Sequence, residues 1–207
     1  MLQRESEIRL FGTSRICIEK DLVISLHMPI HKPAFSDPSW PFVLQPATSA
    51  DAQLIARMHE QSWASAYRGI LPDDFLDREM SAERETHWHA RFEELAAGAG
   101  EVLIAIQDDQ PIGFVCLVAP DENGSVLVDN LHALPGAKGT GLGTAMLGFA
   151  AKWARDRAAT SLHLFVLEPN VAAIGFYESR GWQLAGREDD TMGGIDIIAL
   201  RYVLPID

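Results

Sequence analysis

A glycine-rich segment between a predicted strand and a predicted helix constrains the fold of this 207-residue chain more than any other feature. The segment is Lys138–Gly143, and large apolar residues recur after it at helical spacing from Leu142 to Trp153. Glycines let a backbone approach a ligand closely, and the free N–H groups at the start of a helix favour an anion. The segment therefore predicts a phosphate-binding turn, with a tight turn that binds nothing as the alternative.

Two common phosphate loops do not fit these residues. A Walker loop requires Lys followed by Ser or Thr after its last glycine, whereas this chain has Leu142 and Gly143 there. A dinucleotide-binding loop requires a third glycine where Ala145 and Met146 stand, and an acid about 20 residues further on, which is also missing. A third kind of phosphate-binding loop, which holds the pyrophosphate of an acyl-CoA, is also a candidate.

The order of the predicted elements indicates an α/β fold of the α+β kind. A short strand at Phe42–Leu44 precedes a helix that starts at Thr48–Asp51, a second helix start at Asp73–Asp74, and a helical stretch over Ser81–Ala97. The later predicted strands are Val102–Ile106, Ile112–Val118, Ser125–Ala133, Leu162–Leu167, one starting at Gly181, and Ile195–Leu204; a helix is predicted over Asn170–Arg180. Because the hairpins come before a single strand–helix–strand unit, the sheet is predicted to be mixed and mostly antiparallel, with helices on its faces.

Two segments of the chain resemble the motifs of the GCN5-related N-acetyltransferase (GNAT) family. Residues 131–135, followed by Lys138–Gly143, resemble its coenzyme-binding motif, except that Lys138 stands where Arg or Gln is usual. Residues 170–182, from Asn170 to Trp182, resemble its Asn-x-x-Ala-x-x-Phe-Tyr-x-x-x-Gly-Phe segment. Residues 63–73 are similar to its first-helix region, and the resemblance extends from about Phe42 to Leu204.

The resemblance implies a splayed pair of parallel strands that receives acetyl-CoA as co-substrate, without a metal. The backbone of the bulged strand would pair with the pantetheine amides, the glycine turn would hold the pyrophosphate, and Asn170 and Tyr177 would lie along the coenzyme. The residues implied in coenzyme binding are Leu131, His132, Ala133, Lys138, Gly139, Thr140, Gly141, Leu142, Gly143, Thr144, Asn170 and Tyr177. Asn170 is equally suited to cap its helix.

The implied reaction is direct attack of a primary amine, on a small molecule or a protein, on the thioester. Tyr177 is predicted to act as general acid, or as a hydrogen-bond donor to the leaving sulfur. The predicted base is Asp129, with Glu60, His132 or a water chain as alternatives. Trp63 and Tyr67 are predicted to border the acceptor, and the acids Asp73–Asp74 either attract a cationic amine or cap a helix. The competing hypothesis is a non-catalytic acyl-CoA-binding or sensing module.

The tryptophans at positions 88, 153 and 182 and Cys116 are predicted to lie in the core. A covalent acyl-cysteine role for Cys116 is rejected.

The composition bears on the partner, the compartment and the cysteine chemistry of the protein. Seventeen Lys and Arg stand against 29 Asp and Glu, a formal charge of −12, which argues against nucleic acid as a partner. No run approaches the about 18 apolar residues of a membrane span, and no signal peptide is recognised, so a cytoplasmic protein is expected. The two cysteines form neither a zinc site nor a disulfide framework. A homodimer is left open.

The chain is expected to consist of two parts. Residues 1–41 are interpreted as an appendage. Four prolines crowd Pro29–Pro41, which is therefore expected to be a linker or a draped segment. Residues 1–28 are expected to be loosely ordered, with a short strand pair, a partner-binding arm or an over-long translation start as alternatives. Residues 42–207 are expected to form the acetyltransferase domain.

Overall fold

A computed structural model describes residues 35–207, and these form a seven-stranded mixed sheet with helices on both faces. The strands stand in the order β1-β2-β3-β4-β5-β7-β6, and β4–β5 is the parallel pair among the neighbouring strands. Their bounds are β1 Val43–Pro46, β2 Gly100–Gln107, β3 Gln110–Val118, β4 Ser125–Ala133, β5 Ser161–Leu167, β6 Gln183–Met192 and β7 Ile195–Pro205. The predicted fold class is confirmed.

Four α-helices cover the two faces of the sheet in the described part of the chain. Their bounds are α1 Ala52–Ala66, α2 Met80–Glu94, α3 Leu142–Arg155 and α4 Val171–Glu178. Helices α1 and α2 pack on one face through a cluster around Ile55, Trp88 and Phe114. Helices α3 and α4 pack on the other face in the largest cluster, which includes Met146, Trp153 and Tyr177. The predicted core positions Trp88, Trp153, Trp182 and Cys116 are all buried.

Local sequence signals set the helix boundaries on the α1–α2 face. The backbone N–H of Thr48 donates to Asp51 at 2.8 Å in a capping box that leads into α1, as the sequence predicted. The expected break between the second and third helices is wrong. A helical turn that starts at Asp73 runs through a π-helical turn, Phe75–Glu79, straight into α2. No proline or glycine lies between Pro72 and Met80 to stop it.

A bulge and a divergence in β4 create an opening in the sheet. The register between β3 and β4 shifts after Cys116, which opposes Asn130, so that Leu117 opposes Val128 and Asp129 is the extra residue. Strand β4 pairs with β5 only over Ser125–Leu127. Beyond that point the two strands diverge, as the resemblance implied, and the C-terminal half of β4 presents a backbone edge that β5 does not cover.

The described part of the expected linker packs on the core. Phe35 and Leu44 exchange two backbone hydrogen bonds of 2.7 and 2.8 Å, and the ring of Phe35 lies 4.6 Å from that of Phe149 on α3. Trp40 stacks on Phe42 at 5.3 Å. Residues 1–34 of the expected appendage lie outside the described residues. We therefore propose that the domain starts at Phe35 rather than at Phe42.

Two truncations test this boundary. We expect a chain lacking residues 1–34 to keep its melting temperature, whereas deletion of residues 1–41 also removes the contacts of Phe35 and Trp40 and should lower it by about 5 °C or more. Thermal unfolding followed by circular dichroism makes the comparison. Equal melting temperatures for the two truncations would return the boundary to Phe42.

Candidate active site

The opening between β4 and β5 lies next to a backbone edge that can receive an extended ligand. Leu131, His132 and Ala133 pair with β3 on one side, and their other side faces the space from which β5 has diverged. An amide-bearing chain laid along this edge could hydrogen-bond as an added strand would. The position is the one that the resemblance implied for pantetheine.

The glycine turn leads directly from this edge to the start of α3. Gly139 and Gly141 have φ values of +80° and +89°, a backbone conformation that residues other than glycine rarely adopt. No other atom lies within 4 Å of the place where a Cβ would stand on either glycine. Gly141 is the N-cap of α3, so the unpaired N–H groups of the first helical turn face outward beside it. The turn has the conformation, the space and the helix dipole that a pyrophosphate requires.

Helices α3 and α4 approach each other closely beside the turn. A Cβ on Gly143 would lie 2.8 Å from the ring of Phe176, so glycine is required for this contact. Arg180 stacks on Phe176 at 3.8 Å and donates to the hydroxyl of Thr144 in the first turn of α3. Sequence reasoning missed Arg180, although a basic residue three positions after Tyr177 was the available signal.

Lys138, which precedes the glycines of the turn, contacts helix α1. Its Nζ lies 3.5 Å from the hydroxyl of Ser65, and its side chain is exposed. Solvent therefore screens the charge of its ammonium group.

The N-terminus of α4 meets the C-terminus of α1 at the opening. The Asn170 side chain caps α4 by accepting from the backbone N–H of Ala173 at 3.2 Å, which confirms the predicted cap. Burial raises the pKa of Tyr67, and a hydrogen bond from Asn170 opposes that rise. Tyr67 packs in turn on Trp63 at 5.1 Å. These contacts bring Trp63, Tyr67 and Asn170 into one wall.

Tyr177 lies against the same wall and is buried. Burial is the main cause that raises the pKa of Tyr177 above its ordinary value, and the neighbouring Tyr67 adds to the rise. The phenol therefore stays protonated throughout the neutral range and can donate a hydrogen bond there. An ordinary tyrosine, with a pKa of about 10, is already a weaker acid than a thiol at about 8.5, and the rise makes complete proton transfer less favourable still.

Asp129, the predicted base, is held by an arginine. Its carboxylate lies 3.3 Å from the guanidinium of Arg91 on α2 and accepts from the side chain of Asn130 at 2.6 Å. The Asp129 side chain is 6% exposed, and burial raises its pKa while Arg91 opposes the rise. Arg91 also pairs with Glu94 at 2.8 Å. The bulge residue is thus tied to α2.

The acids at the start of the second helical segment are also paired. Arg68 contacts Asp73 at 2.9 Å and Asp77 at 2.7 Å, and Arg78 lies 3.7 Å from Asp74. Their charges are largely balanced within the segment. The expectation that Asp73–Asp74 attracts a cationic amine therefore loses support, and Asp74 forms no side-chain cap hydrogen bond either.

An acidic groove lies at the same edge of the sheet as the opening. It has a volume of about 540 Å³ and is lined by residues of the β6–β7 hairpin, among them Asp189, Asp190 and Asp196. Asp190 opposes Ile197 in the ladder, and Ile197 is buried in one cluster with Trp63 and Leu167. Since opposed residues share a face of a sheet, Asp190 lies on the Trp63 side. Sequence reasoning gave this hairpin no role.

Comparisons with known proteins agree with this geometry. The family model "Acetyltransferase (GNAT) family" matches residues 59–182. The chain belongs to this family, as the two motifs indicated.

The individual relatives have low sequence identity to this chain. The streptothricin acetyltransferase of Streptomyces lavendulae is 30% identical over 118 residues, which are 56% of this chain and 57% of that protein; the chain therefore matches little more than half the length of this relative. The PaiA N-acetyltransferase of Thermoplasma acidophilum, solved with coenzyme A, has a TM-score of 0.64 at 19% identity and covers 77% of this chain and 97% of its own. A nourseothricin acetyltransferase has a TM-score of 0.50 at 28% identity and covers 53% and 67%.

Two features, a metal-binding group and a membrane-spanning helix, are absent from the described residues. Residues 35–207 contain no group of three or more His, Cys, Asp or Glu side chains arranged to hold a metal ion. No helix within the same range is long and apolar enough to span a membrane.

Proposed function

We propose that this chain transfers an acetyl group from acetyl-CoA to a primary amine by direct attack on the thioester. The observation that carries the proposal is the uncovered edge of β4 at Leu131–Ala133, which continues into the glycine turn at the start of α3. One continuous surface thus offers strand-like pairing to an amide chain and helix N–H groups to a diphosphate. Membership of the acetyltransferase family supports the same assignment.

Different residues of the opening would bind different parts of acetyl-CoA. The backbone of residues 131–133 would hold the pantetheine, Gly139–Thr144 would hold the pyrophosphate, and Asn170 would flank the chain between them. Acetyl-CoA supplies an activated acetyl group. Tyr177 would donate a hydrogen bond toward the sulfur as negative charge develops there, a role that suits a phenol that stays protonated.

Asp129 is better suited to a positioning role than to proton transfer. Its ion pair with Arg91 and its burial leave the carboxylate little access to an incoming amine. We propose that the pair fixes the bulge, and hence the direction of the β4 edge. Glu60 is half-buried on α1, and no contact among the described residues connects it to the opening.

We propose a small cationic amine as the acceptor. Asp190 shares the Trp63 face of the β6–β7 hairpin, and Asp189 and Asp196 lie on its other face; none of these three carboxylates forms an ion pair among the described residues. Carboxylates near the approach path would raise the local concentration of an ammonium compound. Two relatives are named streptothricin acetyltransferase and nourseothricin acetyltransferase, so these two compounds belong in the first panel, beside polyamines and peptides.

A panel assay tests both the activity and the acceptor class. Thiol release from acetyl-CoA should depend on an added amine, and Asp190→Asn should raise KM for dicationic amines by about three- to tenfold while leaving kcat within about twofold. Asp121→Asn is the matched control, because Asp121 lies in the β3–β4 turn. Equal KM changes for the two variants would contradict the role of Asp190. Protection against heat by acetyl-CoA without release for any amine would favour the binding-module hypothesis.

A further inference from the structure

Polar side chains lie buried between α1, α2 and the open half of β4, where an apolar layer is usual. His59 on α1 is completely buried, and Trp88 on α2 donates to its Nδ1 at 3.1 Å. A neutral imidazole carries one proton, so this contact places the proton of His59 on Nε2. His59 Nε2, Trp63 Nε1 and His87 Nε2 are buried without a protein partner among the described residues. The acids nearest to this cluster, Asp129 and Glu83, are paired with Arg91 and Arg84 of α2.

His132 forms the border between this cluster and the opening. Its ring lies 4.5 Å from that of His59 and 5.1 Å from that of Phe114. Its Nδ1 is 3.0 Å from the hydroxyl of Ser62 on α1. The residue is half-buried, and its Nε2 is not among the buried atoms that lack a partner. When Nδ1 carries the proton and donates to Ser62, Nε2 keeps a free lone pair.

The charges around His132 keep it neutral. Burial first, then Arg84 on α2 and Lys138 in the glycine turn, lower the pKa of His132 to about 3. Burial and Arg84 also lower the pKa of His87 to about 3, and that of His59 is lowered well below its ordinary value. An imidazole in this setting is an available base at every physiological pH. It is a weak base, so it would accept the proton only after the N–C bond has begun to form and has made the amine N–H more acidic.

We propose that His132 is the catalytic base, with Ser62 and His59 as its positioning residues. This inference rests on the proposed acetyl transfer. The amine lone pair forms the new N–C bond, the C–S bond breaks and leaves its electron pair on sulfur, and the amine N–H proton passes to Nε2 of His132. Ser62 would accept from Nδ1 in the tautomer that leaves Nε2 free, and His59, itself held by Trp88, packs against the ring of His132. The proton would then leave to solvent, because the residue is only half-buried.

A second Ser–His pair in the chain provides a matched control. Ser125 Oγ lies 2.8 Å from His163 Nδ1 at the end of the sheet where β4 and β5 are paired, away from the opening. We expect His132→Asn, whose amide can still reach Ser62, to lower kcat with the best amine about 100-fold while the Kd of acetyl-CoA stays within about threefold. His163→Asn should change kcat by less than about threefold.

Imidazole rescue separates a base from a packing residue. His132→Ala leaves a space beside the opening, so added imidazole should restore part of the amine-dependent rate to this variant and none to Tyr177→Phe. Ser62→Ala, a milder change, should lower kcat about tenfold.

The experiments separate a failure of the role of His132 from a failure of the proposed acetyl transfer. Full activity of His132→Asn in a wild type that acetylates amines would overturn the role of His132 and leave the acetyltransferase assignment intact. Failure of imidazole to restore any rate to His132→Ala, or a loss in His132→Asn no larger than that in His163→Asn, would also overturn it. Absence of amine-dependent turnover in the wild type would overturn the acetyltransferase assignment itself.

Discussion

Gly141→Val is expected to weaken acetyl-CoA binding about a hundredfold or more, the largest effect of any single change considered for this chain. Gly141 has a φ of +89° at the N-cap of α3, and a β-branched residue there is strained whatever space surrounds it. The strain would turn the N–H groups of the first helical turn away from the diphosphate. Isothermal titration calorimetry with acetyl-CoA measures the loss directly.

Two further variants calibrate this result. Gly136→Val makes the same substitution in the short turn before the loop, where the space is also open within 4 Å but φ is not positive, and should leave the affinity within about threefold. Lys138→Ala removes an exposed ammonium group whose nearest partner is Ser65 and should cost about threefold. Near-normal binding by Gly141→Val would mean that the diphosphate is held elsewhere.

Tyr177→Phe is expected to lower kcat about 100-fold while the Kd of acetyl-CoA changes little. The hydroxyl is proposed to meet the sulfur only as charge develops, so its removal affects the transition state more than the bound ground state. We expect the low end of the range for general acids, because a thiol is already a good leaving group. The raised pKa of Tyr177 predicts that no loss of kcat from this residue appears as the pH rises toward 10.

Tyr202→Phe is the matched control for Tyr177→Phe. The hydroxyl of Tyr202, also on a buried ring, donates to Glu178 at 2.9 Å rather than facing the opening. Its loss should leave kcat within about twofold. If Tyr177→Phe keeps the wild-type kcat while chemistry limits the rate, Tyr177 has no part in the reaction; if it loses coenzyme affinity instead, it is a binding residue.

Much of the fold could be predicted because its signals are local. The capping box at Thr48 and Asp51, the hairpin turns and the glycine at the start of α3 each depend on residues close together in sequence. Strand β4 was predicted with its observed bounds, since apolar residues and the flanking turns mark both ends. The break expected between Asp74 and Ser81 was not found, because a π-helical turn, Phe75–Glu79, continues the helix there.

The polar contacts of the site could not be predicted in the same way. Which carboxylate is free to accept a proton depends on partners far along the chain, and Asp129 meets Arg91 only after the bulge and α2 have packed. The pairs of Ser62 with His132 and of Trp88 with His59 span 70 and 29 residues. A periodic pattern in the sequence does not indicate which distant residues come into contact, so these pairs are visible only in the folded structure.

The fate of a labelled acetyl group tests the central claim most directly. The enzyme is mixed with acetyl-CoA labelled in the acetyl carbon and with an active amine from the panel, and the label is followed in the small-molecule and protein fractions while free thiol is counted. Direct transfer predicts one N-acetyl amine for each thiol released and no label on the protein. Thiol release with the label in acetate, or a labelled protein formed before the amine is added, would contradict the account.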